Sequence, residues 1–144
     1  MSPAPVPRSG STEQAVLAVN QSFYAAFESL DIAAMEKIWL QEEWVQCVHP
    51  GWNLLMGWDE VRESWVRIFA STQRLKLALS SLWVHVQGEV AWVACTEHVT
   101  SLFEGDFDES LVQATNMFIL HEGAWMLVAH HASPLPAAPE PSLQ

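Results

Sequence analysis

A histidine in a tight turn is the first residue of this sequence that points to chemistry. His49 stands in the run Val48-His49-Pro50-Gly51-Trp52, where Pro-Gly forces a turn. An imidazole titrates near neutral pH, so His49 is a candidate proton donor or acceptor, or a ligand anchor. The alternative is a turn histidine that only bonds the backbone. Trp52 either walls a pocket or packs on the helix that follows.

Two further polar side chains fall in strands that are otherwise apolar. Asn116 would cost about 1–3 kcal/mol if its amide were buried without a partner. Its partner is then His49, His130 or a ligand, and in a site its N–H would polarise a carbonyl. A satisfied structural amide is the other interpretation. His130 precedes His131, and strand neighbours point to opposite faces, so only one of the pair faces a pocket.

Glu97 is the one carboxylate within a long apolar strand. If buried, it would have a raised pKa and act as a catalytic acid or base. On the outer face it would be an edge or interface residue instead. No HxH or HExxH motif is present, so we expect neither a metal site nor a cofactor.

The apolar spacing predicts helices first and long strands afterwards. Ser11 and Asp31 are expected to cap the first two helices, and a third is expected over about 59–70. A short strand is predicted over 44–48. Longer strands are predicted over 74–86, 90–103, 110–121 and 124–132, with a bulge near Ser80-Ser81 and an acidic connection over 104–109. This order predicts an α+β fold, with helices packed in a strongly curved, mostly antiparallel sheet that forms a cone with a pocket.

Strand alternation then predicts which side chains face that pocket. Three sets are expected on the concave face: Val112, Ala114, Asn116 and Phe118; Val128, His130 and Ala132; and Trp92, Ala94, Thr96 and His98. A single bulge would exchange His98 for Glu97, or His130 for His131. Among the eight tryptophans, the cavity wall is assigned to Trp44, Trp52, Trp65 and Trp92.

Composition limits the function classes. The 144 residues fit one domain, with tails expected to be disordered at 1–10 and in the Pro-rich stretch 134–144, leaving a folded part at 11–133. Six basic against 17 acidic residues, a net charge of −11, disfavour nucleic acid and anionic membranes as partners. No apolar stretch is long enough for a membrane span, and residues 1–10 do not read as a signal peptide, so a cytoplasmic location is expected. Cys47 and Cys95 are expected to be reduced core thiols.

This order of elements, together with four segments of the sequence, resembles the SnoaL-like branch of the nuclear transport factor 2-like superfamily. The four segments are VHPGW, GWDEVRESW, ATNMFIL and VAHHASP. The resemblance covers about Thr12 to Pro134. In the ketosteroid isomerase relatives a general-base Asp follows the short strand, and the oxyanion hole uses a Tyr and a protonated Asp. The matching places here are His49, Phe23 with Tyr24 beside it, and Asn116. Because each of these is changed, steroid isomerisation itself is not expected.

Two hypotheses follow. The first is a cofactor-independent isomerase, cyclase, dehydratase or hydrolase acting on an apolar, carbonyl-bearing molecule. In this hypothesis His49 moves a proton, Asn116 polarises the carbonyl, and His130 or Tyr24 orients the substrate. The second is a non-catalytic ligand-binding or dimerisation module. Relatives commonly pair their sheets, so a homodimer through the open sheet face is expected. The apolar residues assigned to that face are Val93, Cys95, Val99 and Met126.

Overall fold

The computed structural model of the chain describes residues 11–136. Three helices come first along with two short strands: α1 (Thr12–Glu28), α2 (Ile32–Ile38), β1 (Gln46–Val48), β2 (Leu55–Met56) and α3 (Trp58–Ser71). Four long strands follow: β3 (Arg74–Gln87), β4 (Val90–Phe103), β5 (Asp106–His121) and β6 (Ala124–Pro134). This confirms the predicted α+β fold. None of the helices in the described part is long and apolar enough to cross a membrane.

The strands form one curved sheet in the order β2-β1-β6-β5-β4-β3. Its neighbours are antiparallel except β1 and β6, which run parallel. The parallel pair places Cys47 beside His130 and Val48 beside His131. The turn that begins at His49 is therefore held next to the middle of β6.

Side-chain caps begin the first two helices as predicted. The Ser11 hydroxyl accepts a hydrogen bond from the Gln14 N–H, and the Asp31 carboxylate accepts one from the Ala34 N–H. α1 packs against β3, β4 and β6. Its buried face includes the apolar Val16 and Phe23 that spacing predicts, and also Asn20 and Tyr24. Two polar groups are thereby brought to the concave side of the sheet.

Two bulges determine which side chains of β3 and β6 face the core. The predicted bulge in β3 is confirmed between Ser80 and Trp83, with Ser81 at φ 53°. It keeps Leu82 and Val84 on the half-buried side already occupied by Leu79. A second bulge adds one residue to β6, because Phe118 pairs with Leu127 whereas Met117 pairs with Ala129.

The predicted connection over 104–109 is wrong. β4 ends at Phe103 and β5 begins at Asp106, so only Glu104 and Gly105 form the turn, both with positive φ. The predicted tails, residues 1–10 and most of 134–144, lie outside the described residues. Within the described part Pro134 ends β6, and the Leu135 N–H bonds the Leu111 carbonyl at 2.9 Å.

The predicted phase of β4 is also wrong. Its concave side carries Ala91, Val93, Cys95 and Glu97, whereas Trp92, Ala94, Thr96 and His98 lie on the convex side. The register explains the phase, since Val93 pairs directly with Asn116, and directly paired residues share a face. Val93 and Cys95 are consequently buried under α1 instead of lying on the open face.

Candidate active site

A cavity of about 280 Å³ opens beside the turn that follows β1. Its buried polar side chains come from three elements: His49 from the turn, Glu97 from β4 and His130 from β6. The remaining lining is mostly apolar or at the rim: Phe27, Pro50, Gly51, Val99, Ser110, Val112 and Pro134. Ligand pockets usually start at about 300 Å³, so this one accommodates only a small molecule.

His49 is buried, and a serine on α3 determines which of its ring nitrogens carries the proton. The imidazole Nε2 lies 2.8 Å from the Ser64 Oγ, and that hydroxyl donates its only proton to the Val61 carbonyl at 2.6 Å. The Nε2–H of His49 must therefore donate to Ser64, which leaves the Nδ1 lone pair unprotonated. Burial lowers the pKa of His49 to about 4, so the ring is neutral at neutral pH.

His130 is held by Asn116, its direct partner across the β5–β6 pair. The Asn116 amide nitrogen donates to the Asn20 Oδ1 at 2.9 Å and to the Tyr24 Oη at 3.0 Å. Its Oδ1 therefore accepts from the His130 Nδ1–H, 2.6 Å away, and His130 keeps a lone pair on Nε2. Burial, followed by the charges of His49 and His131, lowers the pKa of His130 to about 3.

Glu97 completes the network from the other side. The Tyr24 Oη donates to the Glu97 Oε2 at 2.6 Å. The glutamate is only 2% exposed, and this burial raises the pKa of its carboxyl to about 7, while the Tyr24 hydrogen bond acts in the opposite direction. Burial also raises the pKa of Tyr24, so its phenol remains a donor.

Two atoms of this network remain free for a ligand. Within the described part of the chain, the Glu97 Oε1 and the His130 Nε2 have no hydrogen-bond partner in the protein. They differ from the indole nitrogens of Trp39 and Trp65, which are the fully enclosed side-chain polar atoms without a partner. Because Glu97 and His130 line the cavity, we infer that these two atoms open into it.

The residues predicted to be catalytic lie in one place. His49 and His130 line the cavity, with ring centroids 6.2 Å apart, and Asn116 lies behind His130. The predicted role of Asn116 as a carbonyl donor does not fit this arrangement. Both of its amide hydrogens are taken by Asn20 and Tyr24.

None of the seven predicted ligand-binding residues lines the cavity. Tyr24 is buried beneath Glu97, and Trp65 and Phe118 are fully enclosed in the core. Phe23 packs against both Trp65 and His130, so these rings fill the deep part of the cone. What remains open is its mouth.

The other four residues predicted to line the cavity lie in a loop, on the outside of α3 or on the convex face. Trp44 precedes β1 in a loop and is 52% exposed. Trp52 packs outward on α3, with the Arg67 guanidinium 5.7 Å from its ring centre, while its edge touches His49. Trp92 and His98 lie on the convex face because of the phase of β4, where they contact His85 and Ser80.

Sequence reasoning left Glu97 undecided and missed Asn20 and Ser64. The signal for Asn20 was its position on the buried stripe of α1, four residues before Tyr24. Ser64 stands on the buried side of α3 one residue before Trp65. Nothing local in the sequence pairs either residue with a site, because their partners are 96 and 15 residues away.

Comparison with known proteins agrees with the fold described above. The model of the SnoaL-like domain matches residues 16–138. The chain belongs to the SnoaL-like domain family. A solved structure of a proposed dehydratase of the NTF2-like family from Streptomyces avermitilis shares 35% identity with this SnoaL-like chain. It covers 90% of the chain and 100% of its own length, with a TM-score of 0.84.

Two other proteins are less similar to this SnoaL-like chain. A ketosteroid isomerase-like protein from Erwinia carotovora atroseptica has 17% identity and a TM-score of 0.76, covering 89% of this chain and 99% of its own, which is a likeness of fold alone. The F-box protein SKIP8 of Arabidopsis thaliana is 28% identical over 122 residues, which are 85% of this chain. The chain spans 50% of that relative's length.

This SnoaL-like site is suited to proton transfer and to hydrogen bonding. A carboxyl with a pKa near 7 gives and takes protons at neutral pH, whereas imidazoles with pKa values of about 4 and 3 are weak bases. Among residues 11–136, no three His, Cys, Asp or Glu side chains are placed to hold a metal ion.

Proposed function

We propose that this chain is a cofactor-independent enzyme that moves a proton on a small, mostly apolar molecule, with Glu97 as the acid and base. The observation that carries the proposal is the position of that carboxyl. It is buried at the cavity, held through Oε2 by Tyr24, and has its Oε1 free. The reaction class is an isomerisation or a dehydration.

The pKa of Glu97 is the reason to prefer it over His49. A general base works best when its pKa lies near the working pH, and the pKa of Glu97 is raised to about 7. His49 is neutral and already uses its Nε2–H on Ser64. We therefore give His49 the role of orienting the substrate.

The lining supports a substrate with a small apolar body. Phe27, Val99 and Val112 surround the three polar groups, and the volume of about 280 Å³ excludes a large polycyclic molecule. Small β-hydroxyketones suit the site because they combine an acidic C–H bond with a hydroxyl that leaves as water.

The experiment uses a panel of aryl and cyclic β-hydroxyketones in deuterated buffer at pH 7. Exchange of the α-proton followed by NMR reports proton transfer, and enone absorbance reports loss of water. Glu97→Gln should lower the rate by roughly 10²–10⁴-fold, the usual contribution of a general acid or base.

The matched control is His98→Gln, the adjacent residue on the opposite face. It should retain the wild-type rate. Equal rates in wild type and Glu97→Gln, or no exchange of any panel member by the wild type, would refute the proposed proton transfer. His49→Ala should weaken substrate binding more than it slows exchange.

A second proposal is that two copies associate through the convex face of the sheet. It is supported by large apolar side chains that are accessible there: Trp83 at 37%, Leu111 at 41% and Met117 at 36%. Sedimentation velocity should report a dimer for the wild type and a shift to monomer for Trp83→Lys. A monomeric wild type at concentrations of tens of micromolar would reject this proposal.

A further inference from the structure

The hydrogen bonds around the cavity have a single direction. The His130 Nδ1–H donates to Asn116, the Asn116 amide donates to Tyr24, and the Tyr24 hydroxyl donates to Glu97. Each proton in this series of hydrogen bonds points into the protein and not toward the cavity. What each end leaves toward the cavity, once Glu97 is ionised, is a lone pair: Nε2 at His130 and Oε1 at Glu97.

The His49 ring also donates its N–H into the protein. Its Nε2–H is directed to Ser64, away from the cavity, and leaves Nδ1 as an acceptor that has only the Cys47 Sγ nearby, at 3.9 Å. With Glu97 ionised, the donors of the lining are confined to the mouth, where the Ser110 hydroxyl is exposed and Gly51 contributes a backbone N–H. Pro50 and Pro134, the other rim residues, have no N–H to offer.

We propose that, with Glu97 ionised, this cavity binds its ligand through hydroxyl groups that donate to Glu97 and His130, and that no carbonyl oxygen of the ligand is held between these two residues. The inference rests on the proposed function, since it assigns the ligand class of the same cavity. A carbonyl oxygen placed between these two atoms would face two acceptors and leave both without a partner. The recognised ligand is a small apolar ring compound that carries at least one alcohol.

The test compares two probes with the same bicyclic skeleton, 2-tetralol and 2-tetralone. Binding is measured by calorimetry at pH 8.5, above the pKa of about 7 to which burial raises Glu97. The alcohol should bind at least about tenfold more tightly than the ketone, which corresponds to one hydrogen bond gained against one acceptor left unpaired.

Glu97→Gln sharpens the test because it exchanges an acceptor for a donor. The glutamine oxygen stays on the Tyr24 hydroxyl, and its amide nitrogen takes the place of the Oε1 that faces the cavity. This variant should lose the preference for the alcohol and gain affinity for the ketone. His98→Gln on the opposite face should keep the wild-type preference.

A spectroscopic readout in the wild type does not depend on the variant folding. The ¹⁵N shifts of His130 should show a protonated Nδ1 and an unprotonated Nε2 at pH 7. On addition of 2-tetralol the Nε2 signal should move toward the hydrogen-bonded position.

Three results would overturn the proposal: equal or tighter binding of the ketone by the wild type, a protonated Nε2 in His130, or no binding of either probe. Failure of proton transfer at Glu97 is a separate result. In that case the preference for the alcohol persists while no α-proton exchange is seen.

Discussion

Glu97 and His98 are adjacent in β4 and lie in opposite environments. Glu97 is buried on the concave face, where Tyr24 holds it and burial raises its pKa to about 7. His98 is exposed on the convex face and bonds the Ser80 hydroxyl at 2.8 Å. The residue type alone would have suggested the reverse arrangement, so the phase of one strand decides which group has the chemistry.

The same contrast occurs in β6. His130 is enclosed and its Nδ1 is bonded to Asn116, whereas His131 is exposed. On the concave face, His130 belongs to one connected hydrogen-bond network with Asn116, Tyr24 and Glu97. On the convex face, side-chain hydrogen bonds such as the one between Ser80 and His98 join isolated pairs that are exposed to water. Substitutions on the two faces should therefore differ in cost even at neighbouring positions.

The largest effect is expected for Asn116→Leu. This change keeps the size of the side chain and leaves Asn20, Tyr24 and His130 each short of one buried partner. The free energy of unfolding should fall by about 3 kcal/mol or more, because each unpaired buried group costs roughly 1–3 kcal/mol. Urea unfolding followed by tryptophan fluorescence measures it.

The matched control is Met117→Leu, the next residue of β5, which lies on the convex face. Its effect should stay within about 0.5 kcal/mol, as is usual for surface changes. Similar losses at positions 116 and 117 would show that the network adds little to stability, and would remove the contrast between the two faces.

Tyr24→Phe is expected to have the next largest effect. It removes the donor to Glu97 and the acceptor for Asn116, so stability should fall by about 2 kcal/mol. Because the Tyr24 hydrogen bond lowers the pKa of Glu97, its loss should raise that pKa above about 7. Carbon-13 NMR of the carboxyl provides the titration. A lower pKa in the variant would contradict the assignment of Tyr24 as the donor.

The pH dependence of stability should show two opposing contributions. Glu97 has a pKa of about 7 when folded and 4.5 when unfolded, so the folded state holds its proton more firmly and gains stability as pH falls from about 7 to 4.5. His49 and His130 have pKa values of about 4 and 3, below 6.5, so the folded state loses stability as pH falls below 6.5.

Unfolding therefore takes up a net of about one proton between pH 6 and 4.5, and stability should fall by roughly 1.4 kcal/mol for each pH unit there. The other carboxylates of this acidic chain contribute equally to the pH dependence of the wild type and of Glu97→Gln, so comparing the two proteins removes their contribution. The variant should lose stability about twice as steeply below pH 6.5. If its slope matches that of the wild type, Glu97 does not titrate in this range.

The sequence predicted the fold and two of the three polar groups at the cavity for identifiable reasons. β5 alternates cleanly around Asn116, so its concave set of Val112, Ala114 and Phe118 follows from the pattern. β4 has apolar residues on both sides, and a carboxyl at Glu97 favoured the wrong phase. Its burial depends on Tyr24, 73 residues away, and no local pattern encodes that pairing.

The smallest effect is expected for His98→Ala, which tests the phase of β4 directly. The change removes one exposed hydrogen bond to Ser80, so the free energy of unfolding should change by less than about 0.5 kcal/mol. Binding of 2-tetralol, measured by calorimetry, should stay the same within error, because His98 and the cavity side of Glu97 lie on opposite faces. A large loss of ligand affinity would mean that His98, and not Glu97, faces the ligand, and the contrast between the two faces would then have to be reversed.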